Sequence, residues 1–258
     1  MQQRRIAELL RPLLEWWLNV CRKTVAFVGA DQFIYWRQHN PRVAVSPDVY
    51  VIPGVPPDAD PKAWLLWQHD VMPSIAIEVV SDDWEKDYRE MPEKYGDLGI
   101  PELVIFDPKH DAHPEGVRWQ VYRRVGKRGL VRVEVTNRDR VKSRTLRCWL
   151  RAVGSGQQLC LRIAEGATGD LLVPTAEERA ATERSAKEAE RTAKEAERAA
   201  KEAERAAKEA ERAAKEAERA AKEEALARIA VLEAELQRLK SGAAGRRSGG
   251  HRAPRRKT

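Results

Sequence analysis

The chain has 258 residues, 42% hydrophobic and 34% charged, which allows one sizeable core together with something non-globular. Its formal charge of +7 is concentrated in the last eighteen residues, where Arg246, Arg247, Arg252, Arg255, Arg256 and Lys257 meet no acid. The near-neutral front part therefore has no global attraction for nucleic acid and needs a local cationic patch, bound metal or the tethered tail to bind it. Cys21, Cys148 and Cys160, widely spaced and without a C-x-x-C pair, exclude a disulfide framework; no apolar run approaches the roughly 20 residues of a membrane span, and none follows Met1 as in a signal peptide. We therefore expect a soluble, cytoplasmic protein with no membrane partner.

In chain order, Ile6, Leu9, Leu10, Leu13, Leu14, Trp17 and Val20 recur at helical spacing and predict an amphipathic first helix over residues 3 to 23. Short β-type runs follow at Thr24 to Val28, Gln32 to Trp36, Val49 to Ile52, Ser74 to Val80 and Glu102 to Phe106. Between the last two, Ser81-Asp82-Asp83 supplies N-cap chemistry for a helix ending near Gly96 or Gly99, which gives a strand, helix, strand unit with a right-handed crossover expected. Further β segments near Arg118 to Arg123, Leu130 to Val135, Thr145 to Val153 and Gln158 to Ile163 extend a mixed sheet to about residue 173. The predicted class is α/β, with residues 1–173 as the folded domain.

Residues 174–240 change character. KEAERTA at 187 to 193 is followed by four copies of KEAERAA, all strong helix formers, and a helix over 176 to 240 would extend about 97 Å at 1.5 Å per residue. Its heptad seam is alanine, which buries little area, whereas Ile229, Leu232, Leu236 and Leu239 alternate by three and four and are where we place a homodimer or homo-oligomer contact; a solvated single-helix spacer is the alternative. Residues 241–258 combine Gly, Ser and Pro with the six basic residues and predict a disordered tail, either a phosphate-binding arm or a solubilising end.

The chemistry concentrates between Ser46 and Pro108. Asp48 follows Pro47 and opens the apolar run Val49-Tyr50-Val51, and Glu78 sits inside Ile75-Ala76-Ile77-Glu78-Val79-Val80. An inward carboxylate must be protonated, paired with a cation or bound to metal, because an unpaired buried charge costs several kcal/mol. Taken alone, Asp48 also reads as a turn residue and Glu78 as the partner of an Arg or Lys. Two such carboxylates brought together suit an all-oxygen divalent cation, Mg2+ or Mn2+, while Lys94 in Pro92-Glu93-Lys94-Tyr95-Gly96 supplies an ammonium for the phosphate; Asp87, on the same helix face, supports Lys94 or the metal's water shell. Asp107-Pro108 reads as a strand-ending turn, and His110 and His113 lack the further Cys or His that zinc needs.

These pieces, in this order, resemble the Uma-two family of restriction-endonuclease-like proteins within the PD-(D/E)XK nuclease superfamily, over roughly residues 5 to 165. The resemblance implies a mixed β-sheet core flanked by helices, with metal carboxylates at Asp48 and Glu78 and the Val79 carbonyl turned toward the metal. Val80 stands where E-X-K expects lysine, and Met91 fills the helix slot that usually carries it in Uma-like sequences, one turn before Lys94. The expected function is a Mg2+- or Mn2+-dependent DNA endonuclease; the rivals are an inactive nuclease-fold DNA-binding module and a coiled-coil scaffold.

Overall fold

The computed structural model describes residues 2–113 and 115–247, the last seven by backbone alone. The chain separates into two units, Met1–Ala181 and Thr182–Thr258. The first opens with helix α1 (Gln2–Trp16), which buries Ile6, Leu10, Leu13 and Leu14, as the spacing predicts. A π-helical turn over Trp17–Cys21 then changes the period, so Trp17 and Leu18 are buried and Val20, expected on the buried face, is 57% exposed.

The strands follow in chain order: β1 (Ala26–Gly29), β2 (Ile34–Tyr35), β3 (Ala44–Val45), β4 (Val49–Pro53) and β5 (Trp64–Leu65), then the one-turn helix α2 (Leu66–His69). β6 (Ile75–Val79), helix α3 (Trp84–Leu98) and β7 (Glu102–Phe106) form the expected strand, helix, strand unit, with β6 and β7 parallel. α3 runs unbroken through Pro92 and ends at Gly99, whose φ of 97° is the left-handed conformation that glycine adopts without steric cost. β8 (Trp119–Arg124), β9 (Leu130–Thr136), β10 (Arg140–Ser143), β11 (Cys148–Val153), β12 (Cys160–Glu165) and β13 (Leu171–Leu172) complete the unit before helix α4 (Ala176–Arg247).

The segments form three sheets. A six-stranded mixed sheet has the order β1-β4-β6-β7-β8-β9, a four-stranded sheet the order β10-β11-β12-β13, and a small one the order β3-β2-β5. One face of the main sheet, through Val49, Val51, Ile75, Ile77 and Val104, shares a core with α1 and with Leu150, Leu161 and Ile163 of the four-stranded sheet. The opposite face, through Tyr50, Ile52, Ala76 and Leu103, is covered by Tyr95 and Leu98 of α3 and by Ile34, Val45 and Trp64 of the small sheet.

α4 starts with a capping box: Glu178 N–H donates to Thr175 Oγ1 at 3.2 Å and Thr175 N–H to Glu178 Oε2 at 2.8 Å. Arg162 grips the same Glu178 at 3.0 and 2.7 Å. In the second unit, Glu and Lys four residues apart pair from Glu190–Lys194 to Glu218–Lys222 at 2.5–2.6 Å, each exposed pair adding about 0.3–0.5 kcal/mol to the helix. Ile229, Leu232, Leu236 and Leu239 are all more than half exposed on this single chain. The helix continues to Arg247, past the Lys240 boundary expected, and the rest of the basic tail lies outside the described residues.

Candidate active site

β4 and β6 pair antiparallel with Val49 opposite Ile77, Tyr50 opposite Ala76 and Val51 opposite Ile75. Continuing that register by one residue sets Asp48 directly opposite Glu78, where side chains on one sheet face lie about 5 Å apart at Cβ. Alternation sends both to the face carrying Tyr50 and Ala76, beneath α3. Both are buried, Asp48 at 5% and Glu78 at 8% exposure.

Asp48 accepts Gln3 Nε2 at 3.0 and 3.1 Å on its two oxygens and the Val79 N–H at 2.7 Å. The N–H and C=O of one residue in an extended strand point to the same side, so the Val79 carbonyl turns toward Asp48 as well. Glu78 accepts a short hydrogen bond from the Tyr95 hydroxyl and lies within hydrogen-bonding reach of the Asp48 carboxyl. Burial, then the Asp48 charge, holds the Glu78 carboxyl well above the usual range, and burial raises Asp48 despite the donors from Val79 and Gln3.

A second buried glutamate shows what a satisfied carboxylate looks like in this fold. Glu102 takes Arg123 Nε at 2.9 Å, Ser143 Oγ at 2.6 Å and the N–H groups of Arg144 and Thr145 at 3.1 and 3.0 Å. Burial alone pushes it up, yet these donors outweigh burial and hold it below the ordinary range. Glu78 has no such cation: among the described residues its one hydrogen-bond donor is Tyr95, so its solution is not an Arg or Lys pair.

The other predicted residues are placed differently. Asp87 stands in the first turn of α3, accepts both the N–H and the hydroxyl of Ser81 at 2.8 Å, and raises the Glu78 pKa by its charge. Lys94 lies 3.3 Å from Glu90 in an exposed pair, and among the described residues no hydrogen bond or ion pair joins it to Asp48 or Glu78. Met91 packs against the core beneath α3. Asp107 is more than a turn residue: fully buried, it accepts Tyr88 Oη and the Lys109 N–H at 2.6 and 2.7 Å and meets His113 Nδ1 at 2.6 Å, tying α3 to the β7–β8 loop.

Sequence reasoning missed Gln3 and the Tyr95 hydroxyl. Tyr95 was detectable, since Trp84, Tyr88, Met91, Tyr95 and Leu98 share one helical face; Gln3 had no signal. A cleft of about 90 Å³ beside the pair is lined by Gln3, Val80, Ser81, Asp82 and Lys109 among others. Among the described residues no group of three or more His, Cys, Asp or Glu is placed to hold a metal. A divalent ion here would take the Asp48 and Glu78 carboxylates, the Val79 carbonyl and water. That all-oxygen set fits Mg2+ or Mn2+, which accept one or two carboxylates and retain waters.

The family profile described as Uma2, "putative restriction endonuclease", matches residues 2–153. The chain belongs to the Uma2 family. The match spans the whole strand, helix, strand unit and the Asp48–Glu78 pair, and this Uma2 chain carries the α/β fold with a mixed sheet, flanking helices and a long C-terminal helix. A crystal structure titled as a "putative nuclease" from Anabaena variabilis is similar at 14% identity and a TM-score of 0.38, covering 57% of this chain and 74% of that one. No curated protein matches. Among the described residues no helix is long and apolar enough to cross a membrane.

Proposed function

We propose that this Uma2 protein is a Mg2+- or Mn2+-dependent endonuclease that hydrolyses DNA phosphodiester bonds, with Asp48 and Glu78 as the metal carboxylates. One observation carries the reading: two buried carboxyls stand opposite each other with raised pKa values and, among the described residues, no paired cation, in a fold that elsewhere compensates a buried glutamate with an arginine and three further donors. Such a pair is poorly arranged for an empty protein and well arranged for a divalent ion. A divalent ion held by Asp48 and Glu78 would supply a lowered pKa for a water nucleophile and compensation for charge on the phosphate.

The chain's own groups hold the donors. Gln3 and the Val79 N–H fix the Asp48 oxygens, and the Tyr95 hydroxyl fixes Glu78 Oε1. Asp87 secures the start of α3 through Ser81. We assign Lys94 to the scissile phosphate: its exposed pair with Glu90 is worth about 0.3–0.5 kcal/mol, so the ammonium exchanges readily for a phosphate oxygen. α4 serves as a spacer that dimerises through Ile229, Leu232, Leu236 and Leu239, and the basic tail adds phosphate contacts.

The second reading, an inactive nuclease fold that binds DNA or scaffolds, is favoured by Val80 and Met91 in the usual lysine slots and by the Lys94–Glu90 pair. The deciding experiment is nicking of supercoiled plasmid with Mg2+ or Mn2+. Activity in the wild type that is lost in Asp48→Ala, in Glu78→Ala and on chelation supports the enzyme. No metal-dependent cleavage of plasmid, single-stranded DNA or RNA supports the binder.

A further inference from the structure

The segment between β1 and β4 leaves and re-enters the main sheet at the carboxylate end. Asp31 N–H donates to the Pro47 carbonyl at 3.0 Å, and Pro47 leads directly into Asp48. The segment carries β2 and β3 of the small sheet, whose third strand, β5, comes from the connection between β4 and β6, and this sheet packs on the same face of the main sheet as the carboxylates. It is firmly built: Trp64 N–H donates to the Phe33 carbonyl at 2.8 Å, Tyr50 Oη to Gln32 Oε1 at 2.8 Å, and Gln32 Nε2 to the Pro61 carbonyl at 2.6 Å.

Its outer surface combines aromatic faces with unpaired cations. Phe33 is 53% and Trp67 38% exposed, and the Phe33 ring lies 5.8 Å from that of Tyr35. A cavity of about 230 Å³ is lined by Tyr35, Arg37, His39, Leu65 and Trp67 among others, and none of its lining residues is acidic. From Gln32 to Pro47 the sequence holds Arg37, His39 and Arg42 and no Asp or Glu. Among the described residues neither arginine forms an ion pair or a side-chain hydrogen bond.

Exposed aromatic rings interleaved with free arginines suit one kind of occupant, a strand whose bases offer π faces and whose backbone is anionic. An apolar protein partner gives Arg37 and Arg42 nothing to meet, and a duplex keeps its base faces stacked inside. We infer that this surface binds single-stranded nucleic acid, with bases stacking on Trp67, Tyr35 and Phe33 and phosphates on Arg37 and Arg42, and delivers it to the adjacent carboxylates. The inference rests on the nuclease reading for its substrate class, and it adds that the strand is unpaired where it crosses the platform.

The test measures fluorescence anisotropy of the full chain in EDTA with two labelled 15-mers, oligothymidylate and a fully abasic strand of equal charge. The basic tail acts equally on both, because their phosphates are the same. The wild type should bind oligothymidylate about tenfold more tightly than the abasic strand, and Trp67→Ala and Phe33→Ala should lose that preference while binding the abasic strand as before, which also shows that they fold. Equal binding of the two strands by the wild type, tighter binding of the corresponding duplex, or an unchanged preference in both variants overturns the inference. Chelation separates the two claims: base preference without any metal-dependent cleavage removes the hydrolase and leaves the surface, and cleavage without base preference does the reverse.

Discussion

Replacing Glu78 by glutamine should make the front unit more stable at neutral pH. The amide keeps the local contacts, since its oxygen still accepts from Tyr95 and its nitrogen donates to Asp48, but it cannot ionise. Both wild-type carboxyls have folded pKa values raised above the ordinary range, Glu78 chiefly by burial and then by Asp48. The native state therefore holds protons that the unfolded chain has released. The stabilising contribution is complete below the ordinary carboxylate pKa of about 4.3 and is lost as pH rises through the raised values.

Within that window each retained proton changes stability by about 1.4 kcal/mol per pH unit, or roughly 3–6 °C in Tm for a unit of this size. All eight tryptophans, from Trp16 to Trp149, lie in the first unit, so intrinsic fluorescence follows its unfolding without signal from the long helix. Denaturant titrations from pH 5 to 8 in EDTA should show Glu78→Gln pulling ahead of the wild type as pH rises. Parallel curves, or a variant less stable than the wild type at pH 8, would refute the claim that Glu78 is an uncompensated buried acid.

Tyr95→Phe removes the hydroxyl donor to Glu78 and should cost about 1–3 kcal/mol in the same fluorescence assay. Because that hydrogen bond lowers the Glu78 pKa, its loss should also move the pH profile of plasmid cleavage upward. Lys94→Ala should change stability by less than about 0.5 kcal/mol, since only an exposed pair is lost, yet slow nicking about tenfold if its ammonium meets the phosphate; unchanged nicking removes Lys94 from the site. The double substitution Leu232→Glu with Leu236→Glu should turn a dimer into a monomer in sedimentation at micromolar concentration, and a wild type that is already monomeric leaves α4 a single-helix spacer.

The parts of this fold that depend on local pattern were legible in the sequence. Glu102–Phe106 is the predicted strand to the residue, α3 stops at Gly99 because the left-handed cap suits glycine, and the KEAERAA repeats form the predicted helix. Asp48 and Glu78 stood out as carboxylates in apolar runs. Their pairing came only from the family resemblance and not from local pattern, because placing residue 48 opposite 78 is a register set by two strands about thirty residues apart. The two-residue strands Ile34–Tyr35, Ala44–Val45 and Trp64–Leu65 are too short to show a period, so only the first fell within a predicted run. Val20 was misplaced because a π turn breaks the 3.6-residue rhythm. Gln3 looked like any polar residue at a helix start, since its value lies wholly in reaching Asp48 from 45 positions away.

The claim that these two carboxylates form a divalent-ion site is tested most directly by calorimetric titration of Mn2+ into the wild type and Asp48→Ala at several pH values. The wild type should bind one ion per chain, with affinity that strengthens with pH because binding displaces the proton held by Glu78, and the variant should show no saturable binding. Equal Mn2+ binding by the two proteins, or none by the wild type at millimolar Mn2+ and pH 8, would contradict it.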